Sequence, residues 1–125
     1  MNEKMPFEIS YRENSGVRIL DIGGYLDAYT ASDLEQSLAD VIEKGEHKII
    51  VNFAKLEYIS SAGLGVFMAF IEDLRAKKGD IKLAAMNQKV YSVFDLLGFP
   101  MLFDIEGDET KLIDKFSKAD DTINE

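Results

Sequence analysis

The sequence contains no cysteine. Disulfides, thiolate zinc sites and cysteine nucleophiles are thereby excluded, and the chain suits a reducing compartment. Long hydrophobic runs are also missing. No stretch approaches the roughly 18 apolar residues of a membrane span, and no charged-then-apolar leader opens the chain. A soluble, cytoplasmic protein with no membrane partner is expected. Positive charge is scarce: 14 Lys and Arg stand against 23 Asp and Glu, a net charge of −9. Such a balance opposes phosphate backbones, so nucleic acid is not an expected partner, whereas proteins with a basic face are. Histidine occurs once, at His47, so clustered metal ligands are missing too.

What is present is enough apolar material for one core. Nearly half of the 125 residues are hydrophobic, which predicts a single domain over residues 1–125 that folds without staples. Its core is expected at about 7–119, with a polar tail at 120–125 that frays.

The pattern along the chain alternates between two periods. Phe7 to Tyr11 alternate apolar and polar, "ENSG" carries turn chemistry, and Val17 to Ile22 is a second strand, so a hairpin opens the fold. Thr30 and Asp33 have capping-box spacing before a helix carrying Ala31, Leu34, Leu38, Val41 and Ile42, with Gly45 as its stop. "KIIVNF" (Lys48 to Phe53) is a nearly continuous apolar run, as in a strand covered on both faces. Leu64, Phe67, Met68, Ile71 and Leu74 form a helical stripe that ends in "RAKKG". "IKLAAM" is a strand. Asn87 caps a helix with Val90, Val93, Phe94 and Leu97, stopped by Gly98 and Pro100. "LFDI" (Leu102 to Ile105) reads as a last strand, and Asp108 opens a final helix with Leu112, Ile113, Phe116 and Ala119 on one face. The order β-β-α-β-α-β-α-β-α predicts an α/β domain with a central mixed, mostly parallel sheet, helix-covered mainly on one face.

The chemistry concentrates in "ISSAGLG" (Ile59 to Gly65), a strand-to-helix corner with two adjacent serines. It is not a hydrolase elbow. Centred on Ser61 the stretch lacks the first glycine of G-x-S-x-G, and His47 starts the strand that leads to the corner, a strand length away. Nor is it a P-loop, because Val66 and Phe67 follow Gly65, or a dinucleotide fingerprint, because Met68 takes the third glycine position. No enzymatic activity is expected. Ser60 or Ser61 can cap the helix through first-turn amides. Two features point beyond a cap. Ala62, Gly63 and Gly65 leave hydroxyls and amides uncovered for a second protein, and glycines in a helix cost about 1 kcal/mol each relative to alanine. Tight helix–sheet packing is the other reason to accept that cost.

The whole pattern resembles the STAS domain and, within it, the bacterial anti-sigma-factor antagonists. The resemblance is carried by the opening hairpin, "GGYLDAYTA" (Gly23 to Ala31), "IIVNFAKLEYISSAGLGVF" (Ile49 to Phe67) and "LLGF" (Leu96 to Phe99). The family signature Asp-Ser-Ser/Thr-Gly-Leu-Gly, aligned on Gly63-Leu64-Gly65, places Ser61 on the phosphorylated serine, Ala62 on the following Ser/Thr and Ser60 on the preceding Asp.

The resemblance implies a partner switch. The unphosphorylated protein would bind an anti-sigma factor that is also a serine kinase, and so free a sigma factor. Phosphorylation at Ser61 would disable it, and a metal-dependent serine phosphatase would reset it. ATP and Mg²⁺ belong to the kinase, so no cofactor is expected in this chain. Partner contacts are expected at Asp27, Tyr58, Ser60, Ala62, Gly63 and Leu64. Tyr58, Leu64 and Phe67 can supply apolar area; core packing is the alternative for Leu64 and Phe67, and the one adopted for Phe67. Asp27 reads equally as a contact to the kinase or its metal and as a loop cap. Ser60 replaces the signature Asp, and Asn52 stands where many family members carry Asp at the end of the third strand; both remove negative charge near the acceptor. The alternative function is a STAS binding module without phosphorylation, serving as a scaffold subunit or ligand-binding component.

Overall fold

The computed structural model describes residues 6–123, with side chains to Lys118. Strand β1 (Glu8–Asn14) and strand β2 (Val17–Leu26) form an antiparallel hairpin in which Asn14 faces Val17. The two-residue loop puts both Ser15 and Gly16 at positive φ, 56° and 81°. Those are type I′ angles, whose twist matches that of the flanking strands. Helix α1 (Ala31–Glu43) then leads to β3 (Lys48–Ile59), α2 (Ser61–Ala76), β4 (Asp80–Ala84) and α3 (Gln88–Leu96). A single 3-10 turn (Phe99–Met101), β5 (Ile105–Glu106) and α4 (Glu109–Ile123) complete the order. The sheet runs β1-β2-β3-β4-β5 in space, antiparallel at the first pair and parallel at the rest.

Burial explains the layering. Along β3, Ile49 and Val51 belong to the large cluster under α1, α2 and α3, while Ile50 belongs to a smaller one with Leu112, Ile113 and Phe116 of α4. A strand with apolar residues on both faces must be covered on both. The large cluster contains a chain of phenylalanines: Phe94 meets Phe53 at 5.5 Å and Phe99 at 5.3 Å, both edge-on, and Phe99 stacks on Phe103.

Helix ends follow backbone chemistry closely. Gly45 (φ 89°) closes α1, with its amide on the Ile42 carbonyl and that of Glu46 on Val41, a Schellman pair. The same pair closes α2, but its left-handed residue is Lys78 (φ 66°). Gly79 comes one position later because a Cβ there would lie 2.1 Å from the His47 carbonyl oxygen.

Several expectations are corrected. Strand β3 continues six residues past Phe53 to Ile59. "LFDI" is not a strand: Phe103 turns into the core, and pairing is confined to Ile105 and Glu106. Thr30 occupies the cap position of α1 but makes no capping bond, so the Thr30–Asp33 box does not form. Met68 and Leu97 are exposed instead of completing their stripes. Ala119 lies outside the described side chains. Helix α4 reaches Ile123, and Asn124 and Glu125 of the expected frayed tail lie outside the described residues.

Candidate functional site

The serine corner forms where β3 passes its last partner. Leu26 pairs with Ile59, and the Ser60 amide donates to the Leu26 carbonyl at 2.9 Å. The end of β2 and the start of α2 are thus tied together, which brings Asp27, the next residue of β2's chain, beside the serines. Ser60 is the cap: its backbone is extended (φ −102°, ψ 173°) and its Oγ accepts from the Gly63 amide. At 3.4 Å this is a long bond. Ser61 is the first helical residue and is exposed, as is Ala62. We therefore expect Ser60→Ala to lose about 0.5–1 kcal/mol, the low end for a cap. Ser61→Ala should stay within about 0.5 kcal/mol of wild type, as for an ordinary surface position. Urea denaturation of the two variants separates them, and equal losses would contradict this division of roles.

Gly63 and Leu64 are not at the surface. Leu64 is 3 % exposed and joins the core, as does Phe67. A Cβ on Gly63 would sit 2.7 Å from Leu26 Cγ and 3.1 Å from Ile59 Cγ1. This glycine serves close packing of α2 on the sheet; Gly65 faces open space.

Asp27 acts as a loop cap. Its Oδ1 accepts from the amides of Tyr29 (2.9 Å) and Thr30 (3.2 Å). Thr30 Oγ1 donates to the Tyr25 carbonyl and accepts from the Asp27 amide, both at 2.9 Å, which is why it does not cap α1. The same loop builds a hollow of ≈ 420 Å³ lined by Tyr25, Asp27, Ala28, Tyr29, Tyr58 and Ser60. The rings of Tyr25 and Tyr58 stack at 5.7 Å, and Tyr29 is 87 % exposed. Tyr25, Ala28 and Tyr29 escape the sequence reading, although "GGYLDAYTA" flanks Asp27 with two tyrosines, the signal that marks them.

Asn52 and His47 fall elsewhere. His47 precedes β3 and Ser60 follows it, so twelve strand residues, on the order of 35–40 Å, separate them. No proton can pass between them directly. Asn52 is in mid-strand, not at its end, and belongs to a latch on α4. Its Nδ2 donates to Glu109 Oε1 at 2.8 Å, and Arg12 donates to both Asp21 and Glu109. Arg12 holds the Glu109 carboxyl below its ordinary value of 4.5, and Asn52 adds to the effect against the opposing desolvation. The folded state therefore binds that proton less tightly than the unfolded state. Its stabilisation is fully present above about pH 4.5 and is lost as pH falls through the folded value. Arg12→Met should lower stability by about 0.5–1 kcal/mol at pH 7, the pair being partly exposed. The gap to wild type should narrow toward pH 3; a gap independent of pH in urea titrations would exclude the latch.

Among the described residues no group of His, Asp and Glu could hold a metal ion, and no helix is long and apolar enough to cross a membrane.

Comparison with known proteins agrees with this geometry. The STAS domain family model matches residues 8–114. The anti-sigma-B factor antagonist of Staphylococcus epidermidis is 31 % identical over 91 residues, covering 72 % of this chain and 84 % of that protein. The crystal structure of an anti-sigma factor antagonist from Mycobacterium paratuberculosis superposes with a TM-score of 0.81 at 20 % identity, over 88 % of this chain and 93 % of that one. The Bacillus cell fate determinant SpoIIAA in its phosphorylated form gives 0.66 at 21 % identity, over 89 % and 99 %. At such identities the two structures speak for the fold. With the matched family model and the staphylococcal relative, they lead to one conclusion: the chain belongs to the STAS domain family, among relatives named anti-sigma factor antagonists.

Proposed function

We propose that this protein is a cytoplasmic anti-sigma-factor antagonist that switches partners by phosphorylation of Ser61. The unphosphorylated form binds an anti-sigma factor that is also a serine kinase, and the sigma factor is released. Phosphorylation ends the contact, and a metal-dependent serine phosphatase restores it. The chain itself is a binding regulator, not an enzyme. The observation that carries this reading is the exposure of Ser61 at the first position of α2, on a helix clamped to the sheet through Gly63 and Leu64 and beside the tyrosine hollow.

The chemistry of that position suits a switch. A phosphate brings about −1.5 to −2 charges at pH 7. At a helix N-terminus it meets first-turn amides and the favourable end of the dipole, so the fold tolerates it. A close protein contact over a bare serine does not, because neither the volume nor the hydration of the phosphate fits. The surface around it offers Tyr58, Tyr29, Ser60 and Ala62 for contact. Asp27 lines the same hollow, where its carboxylate can serve a partner as well as the loop.

The test is phosphosite mapping after incubation with the cognate kinase and ATP, on wild type, Ser60→Ala and Ser61→Ala. Phosphate is expected on wild type and Ser60→Ala, and none on Ser61→Ala. Phosphate on Ser60 alone would overturn the assignment. No phosphate on either serine would make the chain a non-phosphorylated binding module.

A further inference from the structure

We infer that the end of the domain opposite the serine corner is a second protein-docking surface, shaped for a segment that presents carboxylates beside apolar side chains. Its apolar part is the stretch from Leu96 to Leu102. Leu96 is 85 % exposed and Met101 89 %, and Leu97 and Leu102 are exposed as well. The core does not need them: Phe94, Phe99 and Phe103, interleaved with them, supply its contacts. Scattered exposed leucines are ordinary, but four large apolar side chains exposed within seven residues concentrate apolar surface at one place in the chain, as interaction sites do.

The second part is charge. A neighbouring hollow is lined by His47, Lys48, Lys77 and Lys78, together with Gly16, Gly45 and Glu46. Glu46 is already engaged by Arg18, two bonds at 2.8 and 2.9 Å, and Lys77 reaches Asp73 on its own helix. Three lysines around one hollow are a local exception in a chain of net charge −9. Arg75 joins the two parts. Its guanidinium donates to the Leu102 carbonyl and pairs with Asp80, while its own carbonyl accepts from the Lys78 amide at 3.0 Å.

Charge complementarity selects the occupant. A basic rim beside an apolar ridge fits an acidic amphipathic segment. It fits a second copy docked through the same face poorly, because each basic rim would then meet its own like charge. The sixteen residues of α2, about 24 Å, separate this surface from Ser61, so both can be occupied together.

The experiment uses the full ¹⁵N-labelled chain at 0.15 M salt, where long-range repulsion is screened. The probe is a synthetic amphipathic helix of leucine and glutamate, with leucines at i, i+3, i+4 and i+7. Amide shifts are expected at His47, Lys77, Lys78, Gly98, Met101 and Leu102, and not at Ser60 to Ala62. Leu97→Ser/Met101→Ser and Lys77→Glu/Lys78→Glu alter exposed positions and should each weaken binding tenfold or more. The inference is overturned if no shifts occur, or if they centre on the tyrosine hollow. It also fails if the same peptide with lysine in place of glutamate, or an all-glutamate peptide, binds as tightly. Concentration-dependent self-association through these residues, without peptide, would assign the surface to a second copy instead.

Discussion

Ser61→Asp is expected to weaken binding to the anti-sigma partner by tenfold or more while leaving the fold intact. Ser61 begins α2 and is exposed, so a carboxylate there stands at the favourable end of the helix dipole and loses no packing. Within an interface the same carboxylate must shed water and find a donor, or remain buried and unpaired. Leaving one charge unpaired in a contact costs 2–5 kcal/mol or more, of which even the lower part exceeds a factor of ten. Phosphorylated wild type should lose more, because phosphate carries more charge and bulk than a carboxylate. Ser60→Asp is the informative control. An aspartate at the cap position accepts the Gly63 amide at least as well as serine, and it restores the acidic residue of the family signature. Its binding should be retained and its stability equal or higher. Calorimetric titration of the three proteins against the purified partner decides the matter. Unchanged affinity for both Ser61→Asp and the phosphorylated protein would remove Ser61 from the interface.

Phe94→Ala should cost about 3–5 kcal/mol, a large part of the 5–15 kcal/mol that holds a typical domain together. Phe94 is fully buried and touches three rings: Phe53 and Phe99 edge-on, and Phe67 at 6.2 Å. These belong to β3, the 3-10 turn and α2, so the surrounding elements cannot collapse into the void together. Each edge-to-face pair adds about 0.5–1.5 kcal/mol beyond area burial. The loss should appear as a lower urea midpoint with an unchanged slope. A cost below 1 kcal/mol would mean that the ring chain is not the centre of the core. Partner binding should fall only as far as the unfolded fraction requires.

The element order was legible because most helices advertise themselves by spacing. Leu34, Leu38, Val41 and Ile42 can share a face only on a helix, and all four are buried. The far half of β3 was not legible for a specific reason. After Phe53 the buried residues are Leu56 and Ile59, a period of three that imitates neither a strand nor a helix. The cause is a pair of bulges in β3 itself: Asn52 to Lys55 takes three steps against two of β2 from Asp21 to Gly23, and Leu56 to Tyr58 takes two against one from Gly24 to Tyr25, so the strand changes face at each. A bulge breaks the alternation of the strand that carries it, and alternation is the signal by which a strand is read. "LFDI" misled in the opposite way, because alternation there reflects Phe103 plugging the core beside Phe99 and not a pleat.

At the site, the serine corner and its loop neighbour Asp27 could be read in sequence. The division of labour between Ser60 and Ser61 depends on one backbone angle and could not. The role of Gly63 was posed as a choice between partner approach and helix packing, and the positions of Leu26 and Ile59 decide for packing. Asn52 was placed by analogy at the strand end; the length of β3 moves it to the α4 latch.

The unequal cover of the two sheet faces has a consequence for how the molecule fails. Among the described residues, three helices guard one side and α4 alone guards the other, through Leu112, Ile113 and Phe116. Its detachment leaves the serine corner standing and exposes only the smaller cluster, which makes it a sub-global opening short of unfolding. Such an opening uncovers Val17, Ile19 and Ile50, β-branched residues on adjacent strands. Neighbouring chains that meet in this state would find a sticky, ready-made strand surface. Arg12, gripping Glu109 at the first turn of α4, is then a gatekeeper against aggregation, and acid below about pH 4.5, as it protonates that carboxylate, loosens the gate.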